Sequence, residues 1–123
     1  ISGPDKLFME CYPGQLNQAL LNVIMNAIQA VDVGGSILIH LKEENDGIVI
    51  SISDNGHGIP DHIKDKLFEP FFTTKPVGSG TGLGLSITYK IIHDLHHGSL
   101  LVESQIGQGT TFKMIIPKKI VKR

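Results

Sequence analysis

A chain of 123 residues, 41% hydrophobic and 19% charged, has the size and composition of one ordinary globular domain. A net charge of −1 gives no electrostatic reason to expect nucleic acid or an anionic membrane as partner, and the single cysteine, Cys11, cannot close an internal disulfide. No apolar run reaches the roughly 20 residues that span a bilayer.

The first residue is Ile1 rather than Met, and no basic-then-apolar leader follows it, which fits a cytoplasmic fragment of a longer protein that is itself soluble or membrane-anchored. In chain order, residues 7–11 are apolar-rich and stopped by Pro13-Gly14, which predicts a strand. Residues 15–31 repeat with helical spacing. Leu16, Leu20, Val23, Ile24, Ala27 and Val31 share one face, and Leu21, Met25 and Ile28 widen the apolar arc. The narrow stripe left over holds Gln15, Gln18, Asn22, Asn26 and Gln29, a line of amides expected to face a cavity or ligand. Gly34-Gly35 ends the helix.

Residues 36–41 and 48–53 alternate at the strand period around "ENDG", a hairpin-turn sequence, so they are expected as antiparallel neighbours. "DNGHGIP" (54–60) reads as a glycine-rich loop, with Pro60 opening a short helix through Phe68. Residues 69–82 lack periodicity and read as a long, mobile loop, a length that compact domains usually reserve for function. Helical spacing resumes over 85–97 and stops at Gly98. Strands at 99–104 and 110–116, joined by "QIGQG", close the chain, followed by a basic tail of Lys118, Lys119, Lys122 and Arg123 read as a solvated end. The expected fold is α+β: a two-layer sandwich of a mixed, mostly antiparallel sheet with three helices on one face.

"GSGTGLGLSI" (78–87) feeds four alternating glycines into a helix. Neither the P-loop pattern nor the dinucleotide fingerprint is satisfied. Taken alone the stretch is open to two readings, a flexible connection or bare backbone N–H groups at a helix start that receive an anion. Asn22 and Asn26 stand four apart on one helical face, and an amide oxygen is a hard, neutral ligand suited to Mg²⁺. Asp54 is a turn residue or a carboxylate placed to accept a hydrogen bond from a ligand amine. His93 and His97 are also four apart, but no further ligand completes a zinc pattern, and no G-x-S-x-G elbow supports a serine triad.

Four blocks in order resemble the ATP-binding catalytic domain of bacterial sensor histidine kinases, within the GHKL ATPase superfamily. "LNQALLNVIMNAIQAV" is similar to the N box and "DNGHGIP" to the first glycine box. "LFEPFFTTK" is similar to the F box and "GSGTGLGLSI" to the second glycine box, and "GQGTTFKMIIP" resembles the closing strand. The resemblance spans almost the whole chain and implies the Bergerat sandwich. It also implies a single catalytic and ATP-binding domain over 1–123, lacking the dimerisation and phosphoacceptor domain.

The roles that follow are those the resemblance implies. Asn26 coordinates Mg²⁺ and Asn22 contacts phosphate or its water. Asp54 holds the adenine amino group, Gly58 and Ile59 lie beside the base, and Thr110 reaches it through water. Thr74 and Lys75 belong to a mobile lid, with Lys75 a candidate cation for the terminal phosphate. Gly80, Thr81, Gly82, Leu83, Gly84 and Leu85 wrap the phosphates with main-chain N–H groups. Implied partners are ATP and ADP, the absent dimerisation domain and a response regulator, with no nucleic acid and no membrane contact by this domain.

Two positions depart from the common pattern: Gln29 replaces a basic residue, and Thr73 replaces an Arg after the aromatic pair. "EPFFTTK" nonetheless resembles the nitrogen-regulation subgroup. Hydrolytic relatives such as gyrase carry Glu where Asn22 stands, and an amide takes up no proton at neutral pH. The implied activity is therefore phosphoryl transfer to a histidine supplied by another domain. His93-Asp94-Leu95 imitates an acceptor motif but sits at a helix end. The competing readings are a hydrolytic GHKL ATPase, a serine kinase of the anti-sigma type, and a degenerate nucleotide-binding module that only docks partners.

Overall fold

The structure is a computed structural model that describes residues 3, 9–69 and 84–119. Helix α1 spans Pro13–Ala30. Strand β1 (Ile37–Glu44) pairs antiparallel with β2 (Gly47–Asp54), a short helix α2 covers Asp61–Lys64, and α3 covers Gly84–Tyr89. A π-helical segment, Lys90–Leu95, continues α3, and strands β3 (Ser99–Gln105) and β4 (Gly109–Pro117) complete the chain. Among the described residues the sheet has four strands in the order β1-β2-β4-β3, every pair antiparallel. The expected mixed sheet is therefore wholly antiparallel over this part of the chain.

Helix α1 begins two residues before its predicted start. Pro13 has no N–H to leave unsatisfied and a φ suited to a first turn, so it opens the helix instead of merely ending a strand. Its predecessor Tyr12 is extended and accepts the first helical bond, from Leu16 N (2.8 Å). Residues 9–11 are not part of a strand, contrary to the expectation for 7–11. Glu10 N donates to Lys118 O and Lys118 N to Asp46 O, and the Lys118 ammonium pairs with Glu43. Lys118 is thus tied into the sheet end and is not the solvated residue its position in a basic tail suggested.

The core lies between α1 and the inward face of the sheet. Leu16, Ala19, Val23 and Ala27 meet Ile50, Ile52, Phe112, Met114 and Ile116, all buried. Each large aliphatic or aromatic side chain so enclosed contributes about 1.5–3 kcal/mol relative to exposure. The apolar arc of α1 is narrower than its sequence suggested: Leu21, Met25 and Ile28 stay 60%, 49% and 48% exposed.

The β1–β2 connection is the two-residue turn Asn45-Asp46, both at positive φ (50° and 62°), as the "ENDG" chemistry requires. The predicted helix at 60–68 is helical only over Asp61–Lys64. The predicted helix at 85–97 is α-helical to Tyr89 and then widens by one residue per turn, His96 N bonding Ile91 O at 3.2 Å. His96 is buried in this corner. Its Nε2 accepts from Tyr12 N (3.1 Å) and its Nδ1 lies 2.9 Å from Ile91 O, so its proton sits on Nδ1. His93 stacks on Tyr89, which stacks on Phe68. These imidazoles hold elements together.

Candidate functional site

The ends of the two central strands build one wall. Asp54, last residue of β2, lies directly opposite Thr110 of β4, and both are buried side chains on the helix-facing side of the sheet. One carboxylate oxygen of Asp54 accepts from Gly56 N at 2.8 Å, curling the glycine loop back over the strand end. The loop is then pinned on both flanks. His57 N donates to Ala30 O (3.3 Å) at the end of α1, and His57 O accepts from Gly107 N (2.9 Å) in the β3–β4 turn. Ser36 N donates to the Asn55 side chain at 2.8 Å. Gly58 has φ +80°, and a Cβ there would run into the Gln105 carbonyl, so the loop can lie this close to the β3–β4 turn only as glycine.

A hydroxyl cluster joins loop and wall. Ser104 Oγ of β3 accepts from Ile59 N at 2.7 Å, donates to Gly109 O at 2.9 Å and lies 2.7 Å from Thr110 Oγ1. Asp54, Ser104, Gly109, Thr110 and Lys64 all line a shallow recess of about 490 Å³. Lys64 is held there by an ion pair with Asp61 at 2.8 Å, and that hydrogen bond keeps the Asp61 carboxyl below its ordinary range.

Gln15, Gln18 and Gln29 are exposed, while Asn22 and Asn26, one turn apart, are half-buried. Asn22 Nδ2 donates to Gly84 O at 3.1 Å, and the same carbonyl accepts from Thr88 Oγ1 at 2.8 Å. The stripe thus grips the first residue of α3, and Leu85 beside it packs against the core. Of the residues singled out in the sequence, Asp54, Gly58, Ile59 and Thr110 come together in one wall. Asn22, Gly84 and Leu85 come together where α1 meets α3, with Asn26 one turn further along α1. Thr74, Lys75, Gly80, Thr81, Gly82 and Leu83 lie outside the described residues, as does the predicted loop beyond Glu69.

Two residues escaped the sequence reading. Ser104 follows Leu100 and Val102 on the inward face of β3, and a polar residue at an inward position was the available signal. Lys64 carried none, because only the fold brings α2 against the sheet edge.

The packing of helices on one face of a four-stranded antiparallel sheet is shared with known proteins. The chain belongs to the family described as histidine kinase-, DNA gyrase B- and HSP90-like ATPases, which it matches over residues 11–120. Within that family its similarity runs to sensor kinases. It is 47% identical over 103 residues to the signal transduction histidine-protein kinase AtoS of Escherichia coli (strain K12), covering 83% of this chain and 16% of that protein. It is 43% identical over 108 residues to sporulation kinase E of Bacillus subtilis (strain 168), covering 87% of this chain and 14% of that one. The chain therefore spans a small part of the length of these relatives.

The nucleotide-free catalytic domain of histidine kinase ThkA superposes with a TM-score of 0.81 at 40% identity, over 90% of this chain and 71% of that one. ThkA in complex with the response regulator protein TrrA gives the same score at 35% identity, over 95% of this chain and 33% of that one. The α+β fold expected from the sequence is thus that of histidine kinase catalytic domains. No helix among the described residues is long and apolar enough to cross a membrane.

Proposed function

We propose that residues 1–123 form the catalytic and ATP-binding domain of a two-component sensor histidine kinase. In this reading the domain binds Mg-ATP and gives the γ-phosphoryl group to a histidine on a separate dimerisation domain. The observation that carries it is the Asn22–Gly84 hydrogen bond, which joins the amide stripe to the end of the second glycine box. Phosphate bound between them would meet amide groups on one side and bare main chain on the other. At Asn22 an amide stands where a hydrolytic ATPase needs a carboxylate, so these residues position ATP and leave water unactivated.

The donor set also fits Mg²⁺. Among the described residues no three His, Cys, Asp or Glu side chains cluster, so an all-protein cage is not what would hold a cation. A half-buried neutral amide at Asn26 suits an ion that keeps water and phosphate oxygens in its shell. Bound there, Mg²⁺ would neutralise charge on the phosphates.

Asp54, Gly58, Ile59 and Thr110 take the base. Thr74, Lys75 and the glycines from Gly80 onward take the phosphates, with Lys75 replacing the absent Arg. A cytoplasmic response regulator is the downstream partner, a reading supported by the ThkA–TrrA complex. Assignment to the nitrogen-regulation subgroup rests on "EPFFTTK".

The test is incubation of the purified chain with γ-labelled ATP, magnesium and an added phosphoacceptor domain. Label on the acceptor that is acid-labile and alkali-stable is expected. Release of free phosphate with no labelled protein would instead identify a hydrolytic ATPase.

A further inference from the structure

The Ser104 hydroxyl has one proton and two lone pairs, and the structure surrounds it with three partners. Ile59 N–H can only donate, at 2.7 Å, and occupies one lone pair. The Gly109 carbonyl can only accept, at 2.9 Å, and takes the single proton. Only a lone pair then remains for Thr110 Oγ1 at 2.7 Å, so Thr110 must be the donor of that bond. Ser104 and Thr110 are buried, 8% and 4% exposed, which makes a misdirected proton costly.

We propose that Ser104 is a specificity-determining positioning residue: by giving its proton to Gly109 it commits the Thr110 proton to itself, so Thr110 meets a ligand only as an acceptor. Thr110 lies directly across the β2–β4 ladder from Asp54, and both line the same recess. An ionised carboxylate is also acceptor-only. The wall therefore offers acceptors and no side-chain donor from this pair. It matches a base edge bearing an amino group, or a water turned to donate, and disfavours a base with a carbonyl at that position. This rests on the nucleotide-binding reading above and adds the residue that sets the polarity of the wall.

Two measurements on the 123-residue chain test it. The first needs no nucleotide. In the ligand-free wild type, NMR is expected to show a slowly exchanging hydroxyl proton assigned to Thr110 by its cross-peak to the Thr110 β-proton, and S104A is expected to lose it. A Thr110 hydroxyl proton that exchanges freely in the wild type overturns the proposal.

The second measurement compares affinities for ATP and for inosine triphosphate, in which a carbonyl replaces the amino group. One freed hydroxyl able to rotate and donate is expected to lower the ATP preference about 5- to 10-fold in S104A. S104T, which keeps the hydroxyl, is expected to retain the preference. Adding S104A to T110V is expected to change it no further, because Ser104 acts through Thr110. An unchanged preference in a folded S104A, or additive losses in the double variant, overturns the proposal. Wild-type protein that binds neither nucleotide refutes the nucleotide-binding reading instead, and the ligand-free measurement still decides the direction of the Thr110 bond.

Discussion

Two glycines where β3 leads into β4, Gly107 in the turn and Gly109 opening β4, separate two costs that a substitution usually mixes. Gly107 and Gly109 both have positive φ, +81° and +99°. A Cβ on Gly107 would meet nothing within 4 Å, whereas a Cβ on Gly109 would drive into the Asp54 carbonyl, with Asn55 Cα only 3.1 Å away. Gly107→Ala therefore carries only the left-handed backbone penalty, roughly 1–2 kcal/mol. Gly109→Ala adds backbone overpacking, about 1–3 kcal/mol more. The expected losses are about 1–2 and about 2–5 kcal/mol, against a total stability of roughly 6–18 kcal/mol for a chain of this length.

Urea titration of both variants at equal m-value reads the difference as a shift in midpoint. In a thermal scan each kcal/mol is worth about 4 °C. The obstructing carbonyl belongs to Asp54, so Gly109→Ala should also weaken ATP binding while Gly107→Ala leaves it intact. Equal destabilisation by the two, or a larger effect at Gly107, would refute the reasoning, since it would mean that strand proximity contributes nothing at Gly109.

The remaining expectations follow from single contacts. Phe112→Ala, deleting a ring that is 1% exposed between sheet and α1, should cost about 3–5 kcal/mol by denaturant titration. Asn26→Ala or Asn26→Asp should abolish magnesium-dependent phosphoryl transfer, measured with an added acceptor domain, while the circular dichroism spectrum is unchanged. Asp54→Asn should narrow the difference between ATP and GTP affinity in calorimetric titrations. Lys64→Met should return the Asp61 carboxyl to its ordinary titration range by NMR, because the Lys64 hydrogen bond and charge hold it low. The sign is that of a depressed carboxylate: its small contribution to stability is present above the unfolded-state pKa and fades as pH falls through the folded-state value.

Four of the five expected strands were legible because alternation fixes the face they bury; it did not fix their extent, since β1 runs on to Glu44, and residues 9–11 form no strand. Ile48, Ile50 and Ile52 turned inward as their spacing required, and "ENDG" placed the hairpin. Helix α1 was legible as a helix and in its main buried face, Leu16, Val23 and Ala27, but not in the width of that face. Leu21, Met25 and Ile28 share a helical stripe with their buried neighbours only loosely, and sequence cannot say how far the sheet reaches around a cylinder. The π-helical widening after Tyr89 left no mark on the apolar spacing. It lets Ile91 and Ile92, consecutive in sequence, both be buried, and it swings His96 onto Tyr12. Asp54, Gly58 and Thr110 could be named from motifs, but Ser104 could not. Its importance lies in three partners, Ile59 in the glycine loop and the adjacent Gly109 and Thr110 of β4, and only the tertiary arrangement brings the loop to the strand.

The order β1-β2-β4-β3 gives the site a particular birth date during folding. Each hairpin closes locally, β1 with β2 and β3 with β4, and only the seam between β2 and β4 joins segments distant in the chain. Asp54 and Thr110 form the terminal rung of that seam. Distant pairings form late, because loop closure must precede them. A nascent chain holding only the first hairpin thus has the carboxylate but no wall, and the recess between them arises with the last cooperative step. Any molecule that bridges the rung acts as a clasp on the two halves, so occupancy and resistance to unfolding should rise together.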